Sequence, residues 1–157
     1  MKSRQSVPKQ WLVADTRSGT DPGRLLHRMP RGSGVLLIHG DMAKGERARL
    51  LSRLRIVARL RGLVIVDELR NEAMRVHDMP ELRKAGLSRI PLIFISPLFA
   101  TRSHPGWKPL ARLKAAALLR LAKAPAIALG GMSPQRFKRV ERLGFQGWAG
   151  IDAWIRT

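Results

Sequence analysis

The 157-residue chain contains no cysteine and no tyrosine, aromatic residues make up 5% of it, and 11 acids face 30 lysines and arginines. Without cysteine there are no disulfides, no thiolate metal ligands and no cysteine nucleophile. Long apolar runs are missing as well. Stretches such as VLLI (35–38) fall far short of the ~20 residues that cross a bilayer. The basic start, residues 1–10, leads into WLVADTR (11–17) without the apolar core and small-residue cleavage site of a signal peptide. These absences predict a cytoplasmic protein with no membrane contact, built as a single domain over residues 1–157, with 1–10 as a flexible lead-in.

The charge of +19 has more than one reading. Arginine supplies 22 of the 30 cations, spread from Arg4 to Arg156 with no block of five. A nucleic-acid binder concentrates such charge on one arm or helix and interleaves aromatics for stacking. Even spacing fits solvated helix faces instead. Attraction to phosphorylated small molecules is the functional alternative, with nucleic-acid association behind it. A steep fall of DNA or RNA binding with salt would single out the last.

Short apolar runs alternate with amphipathic stretches along the chain. WLVAD (11–15), VLLIHG (35–40), LVIVDE (63–68), PLIFIS (91–96) and PAIALGG (125–131) read as strands, and WAGIDAWI (148–155) closes the chain. Leu50, Leu51, Leu54, Val57 and Ala58 recur at helical spacing, with Arg47, Arg49, Arg53, Arg55 and Arg59 assigned to the opposite face. Pro109 suits the first turn of a helix with Leu110, Leu113, Ala117 and Leu121 as its apolar face. Ser133-Pro134 reads as an N-cap and first helical residue, before a helix that buries Phe137, Val140 and Leu143. Residues 69–89 are ambiguous, helical near 81–85 with VHD (76–78) inside them. This order predicts a parallel α/β sheet of about six strands, open or closed.

Two segments carry chemistry. In LGGMSPQ (129–135), glycines at the end of a strand let backbone approach a ligand, and the following helix start turns its N–H groups towards it. A tight strand-to-helix turn accounts for the same glycines. In FISPLFATRSHPG (94–106), Thr101, Arg102, Ser103 and His104 can hold a phosphate, and His104 can donate a proton to a leaving group. A surface loop rich in turn formers is the plainer account.

The same segments carry a resemblance. Residues 94–155 look like the carboxyl half of the thiamine phosphate synthase family, a TIM-type (β/α)8 barrel. Its proline–hydrophobic–aromatic loop with paired threonines stands as Ser96-Pro97-Leu98-Phe99-Ala100-Thr101-Arg102-Ser103-His104. Its glycine pair is Gly130-Gly131, and its last strand is Gly147-Trp148-Ala149-Gly150-Ile151-Asp152. The resemblance implies a shortened (β/α) barrel and a transferase that couples a pyrimidine pyrophosphate to a thiazole phosphate with magnesium. It also implies roles. Thr101 and Ser103 would bind substrate, and Gly130, Gly131 and the Ile151 backbone would cradle the thiazole phosphate. Asp67 would hold Mg2+, and His104 would be the catalytic candidate.

The departures bear on activity. His104 stands where the family has a lysine, and Ile38-His39-Gly40-Asp41 replaces its Arg-x-Lys. Asp152 replaces a serine, and Pro97 occupies the histidine position of a tautomerase branch. Between Val66 and Phe94 there is room for only a fragment of two βα units, with His77-Asp78 as its remnant. The expectations are therefore weak or lost coupling, a non-catalytic or regulatory binder as the alternative, and a homodimer that covers the gap.

Overall fold

The computed structural model describes residues 6–15, 21–38 and 40–155. Residues 1–5 of the expected lead-in and His39 lie outside these. Residues 6–9 are not a loose tail: Val7 packs on the inner core, and the Lys9 carbonyl accepts from Trp148 N (2.9 Å).

Among the described residues, seven strands form one parallel sheet: β1 (Gln10–Ala14), β2 (Gly34–Leu37), β3 (Val64–Asp67), β4 (Met74–Val76), β5 (Ile93–Ile95), β6 (Ala126–Leu129) and β7 (Gly147–Gly150). Their spatial order is β3-β2-β1-β7-β6-β5-β4. The sheet curls into a half-barrel, a TIM-barrel-like α/β fold. The α-helices of the described residues that connect or follow the strands are α1 (Pro22–Leu26), α2 (Lys44–Arg61), α3 (Met79–Leu87), α4 (Arg112–Leu121), α5 (Pro134–Val140) and α6 (Asp152–Ile155).

Alternation along the strands sorts side chains into two cores. Trp11, Val13, Leu36, Phe94, Ile127 and Ala149 fill the inside of the curl, while Leu12, Val35, Leu37, Ile93, Ile95 and Trp148 face the helices. Trp11 meets Phe94 edge-on, with centroids 5.3 Å apart. The room for that indole comes from Gly34, its register partner on β2, where a Cβ would overlap the Trp11 ring.

The sequence expectation of six strands missed β4, a three-residue strand inside the ambiguous stretch. Only six residues separate β3 from β4, yet a parallel crossover takes a dozen or more. The chain instead makes one 3-10 turn (Glu68–Arg70) and continues in the same direction. β3 extends β2, and β4 extends β5. Two short strands joined by a jog thus span the place of the missing units.

Carboxylates stitch this jog. Glu72 Oε2 accepts from Asp67 N (2.9 Å), and Glu68 accepts from Arg75 Nε (2.7 Å), Arg75 Nη2 (3.1 Å) and Arg75 N (3.3 Å).

Two helix readings need correction. Leu110 N donates to Pro97 O (2.8 Å), which keeps residues 108–111 out of the helix. α4 therefore starts at Arg112 and buries Ala115 and Leu118, leaving Leu113 86% and Leu121 57% exposed. On α2, Leu51, Leu54 and Ala58 are buried as expected, but Arg47 is buried with them, drawn inward by a carboxylate. At α5 the cap and two of the three core positions hold: Ser133 Oγ accepts from Arg136 N (3.2 Å), Pro134 begins the helix, and Phe137 and Val140 are buried. Leu143 instead lies past the helix in a 3-10 turn and is only half-buried.

Candidate functional site

A cavity of about 440 Å³ opens at the carboxyl ends of the strands. Its wall includes the first residue beyond six of the seven: Asp15 after β1, Ile38 after β2, His77 after β4, Ser96 after β5, Gly130 after β6 and Ile151 after β7. Parallel barrels place their ligand sites at this end, where loops of different strands converge.

Six of the seven residues to which the family resemblance gives roles line this one cavity, namely Thr101, Ser103, His104, Gly130, Gly131 and Ile151, and Arg102 of the same loop as Thr101 lines it with them. They come from three different loops. Thr101 Oγ1 and Ser103 Oγ are 2.9 Å apart and hydrogen-bonded, so one hydroxyl can donate to a ligand while accepting from the other. His104 packs against Trp107 with ring centroids 4.7 Å apart.

Gly130 and Gly131 have positive φ, 98° and 59°. A Cβ on Gly130 would sit 2.7 Å from Pro97 Cα, and one on Gly131 would overlap the Ala100 carbonyl oxygen. The pair therefore lets the β6–α5 turn press against the β5–α4 loop. Tight packing and an open backbone cradle are the same feature here.

The seventh residue, Asp67, stands apart from the cavity wall. It is 3% exposed, and its Oδ1 accepts from Arg47 Nη2 (2.7 Å) and from Leu69 N (2.9 Å). This donor set does not fit magnesium. The ion wants several oxygens in a near-octahedral shell, and the Asp67 oxygen already faces a buried guanidinium. Among the described residues, no three Asp, Glu or His side chains gather into a metal-binding group. The remnant His77-Asp78 has a local role: Asp78 Oδ1 caps α3 at Glu81 N (2.9 Å), and His77 Nδ1 lies 2.8 Å from Glu81 Oε2.

Sequence reasoning missed Asp15, Arg75, Trp107 and Arg136, and read His77 only as the remnant of the missing units, whereas it lines the cavity. Arg136 Nη1 donates to the Gly131 carbonyl, and its guanidinium lies 5.3 Å from the Phe99 ring centroid, so the cation is pinned beside the glycine pair. Arg75 reaches the cavity while paired with Glu68. Three arginines (Arg75, Arg102, Arg136) and two histidines share the wall with Asp15 and Asp152, a balance that favours anions. The available signal was position: a polar residue just past an apolar strand, or three residues after an N-cap serine.

The profile of thiamine monophosphate synthase matches residues 73–154, more than half of the chain. The chain belongs to the thiamine monophosphate synthase family. The matched stretch contains β4 to β7 with their loops, which carry all six of the cavity residues read from sequence.

Solved structures agree on the fold. A thiamine phosphate pyrophosphorylase from Pyrococcus furiosus superposes with a TM-score of 0.74 at 14% identity, covering 96% of this chain and 89% of that one. A FabK mutant from Thermotoga maritima gives 0.59 at 11% identity, over 95% of this chain and 62% of that one. A native KDPGal structure gives 0.51 at 12% identity, over 97% and 86%. No curated protein sequence matches the chain. No helix among the described residues is long and apolar enough to cross a membrane.

Proposed function

We propose that the cavity binds phosphorylated thiazole and pyrimidine molecules in the manner of this synthase family, and that this chain couples them slowly. One observation carries the reading: Thr101, Ser103, His104, Gly130, Gly131 and Ile151, drawn from three loops, meet in one cavity with Arg136 beside the glycine pair. Backbone N–H groups of the glycine turn, two hydroxyls and a pinned guanidinium suit a phosphate. The thiazole phosphate belongs at Gly130-Gly131, and Arg102 and His104 face the second substrate.

Coupling makes a carbon–nitrogen bond while a carbon–oxygen bond to pyrophosphate breaks. The barrier depends on stabilising the charge that builds on the departing oxygen. Two cations expected from the family are replaced, by His104 and by the segment 38–41. Each tenfold loss in rate corresponds to about 1.4 kcal/mol, so slow turnover is the expected result. A non-catalytic binder is the second reading, favoured by the engagement of Asp67 with Arg47.

An assay of thiamine phosphate formation, run beside thermal-shift titrations with each substrate, tests both. Binding without turnover selects the binder, turnover with binding selects the synthase, and no binding of either substrate removes the proposal. Arg136→Ala should weaken thiazole phosphate binding about tenfold, ~1.4 kcal/mol, with little change in melting temperature because the side chain is exposed. Where turnover is measurable, His104→Lys should raise kcat by supplying a fixed charge. A second copy of the chain over the β3–β4 seam is the remaining partner, and sedimentation at micromolar concentration reports it.

A further inference from the structure

The carboxylate that ends β3 has a cation of the protein's own. Arg47 reaches it from the first turn of α2, a helix whose N-cap, Ala43, offers no side-chain cap. Arg47 and Asp67 are 8% and 3% exposed, with Nη2 to Oδ1 at 2.7 Å. The same nitrogen lies 3.4 Å from the Ile38 carbonyl at the end of β2, a residue that lines the cavity. One guanidinium thus ties the start of α2 to the carboxyl ends of two neighbouring strands. Among the described residues, Arg47 Nε has no hydrogen-bond partner.

A buried arginine with an unpartnered nitrogen is costly unless its charge has a task. The task visible here is neutralising Asp67. A divalent ion within coordination distance of Oδ1 would meet a cation already in hydrogen-bond contact with that oxygen, and like charges at such separations repel strongly in a buried site.

We infer that the Arg47 guanidinium is the resident cation of this position, standing where the family resemblance places magnesium, so that Asp67 binds no divalent ion. The inference concerns the β2–β3 end of the fold and stands apart from the proposed ligands. Asp67 is a positioning residue on this account, and removing Arg47 should turn its carboxylate into a vacant acceptor for an added cation.

Thermal unfolding of the parent, Arg47→Ala and Asp67→Asn, each in magnesium chloride and in EDTA, tests this. The parent should melt at the same temperature in both. Arg47→Ala should melt about 10 °C lower in EDTA, as expected for an unpaired buried charge in a domain of this size, and should recover part of the loss in magnesium. Asp67→Asn should not respond to the ion. The inference is overturned if magnesium stabilises the parent and Asp67→Asn abolishes that effect, or if Arg47→Ala responds no more than the parent. Should Arg47→Ala fail to fold, calorimetric titration of the parent and Asp67→Asn with magnesium alone decides. Heat of binding in the parent that disappears in Asp67→Asn overturns it, and no binding in either supports it.

Discussion

Gly131→Val is expected to destabilise the protein by about 3 kcal/mol or more and to abolish thiazole phosphate binding with it. The valine would have to adopt φ 59°, a left-handed conformation that β-branched residues strongly disfavour. Its Cβ would also overlap the Ala100 carbonyl, so the turn and the β5–α4 loop must part. Thr101 follows Ala100 directly and Ser103 lies two residues further on, and their hydroxyls would leave the cavity wall. From sequence alone, the substitution reads as a clean test of the phosphate cradle, with the fold kept. The packing makes it a test of both. A melting-temperature drop of about 6–12 °C together with lost ligand stabilisation is the expected pair of results. A variant that melts like the parent and binds as tightly would place both the packing and the cradle elsewhere. Arg136→Ala separates the two effects, because it removes the charge and its contact with Phe99 but leaves the Gly131–Ala100 packing in place.

How much of this architecture was readable from sequence depends on what fixed each part. Buried strands announce themselves as apolar runs, which is why β1, β2, β3, β5, β6 and β7 are all legible in the sequence. The runs read for β2 and β7 nevertheless extend past the strands, and 148–155 takes in helix α6. β4 escaped because Met74, Arg75 and Val76 form a strand only through pairing with Ile93, Phe94 and Ile95. Nothing in three residues states that pairing. The face of α4 was misassigned for a related reason: a single long-range hydrogen bond, Leu110 N to Pro97 O, delays the helix and rotates its buried stripe. The inward turn of Arg47 has the same character, since its partner Asp67 is 20 residues away.

The site divides along the same line. Residues on the β5–α4, β6–α5 and β7–α6 loops follow compact local motifs, and the cavity brings together all six that were named from them. Arg75, which was missed, lies on β4, the strand that could not be seen, and His77, read only as a remnant, is the first residue after it. Trp107 lies in a loop that returns to meet His77 with ring centroids 5.4 Å apart. Placing that contact required the fold first. Asp67 was chosen by analogy with a complete barrel, and the shortened one gives its carboxylate a different neighbour.

The shortened barrel also makes the second large prediction, Glu68→Ala. In a sheet closed by backbone ladders, no single side chain holds the seam. Here β3 has β2 on one side and β4 has β5, while the jog between them rests on Glu68 and Glu72. Glu68 grips Arg75 through Nε, Nη2 and the backbone N, at side-chain exposures of 12% and 27%. Hydrogen bonds to charged groups in such settings contribute about 1.5–3 kcal/mol. Truncation would leave the Arg75 guanidinium half-buried without its carboxylate, so a loss of about 2–3 kcal/mol is expected. Glu68→Gln keeps one acceptor for Arg75 and should lose about half as much. The damage should be local first: hydrogen exchange should rise at Met74 and Arg75 before it rises on β6 or β7, because β4 makes only one strand pairing. Arg75 also lines the cavity, so ligand stabilisation should fall in step with that exchange. Uniform loss across the sheet, with no early opening of β4, would show that the seam is held by something other than these carboxylates. If the homodimer forms over this seam, Glu68→Ala should shift the sedimentation equilibrium as well, since it alters the edge a second copy would cover.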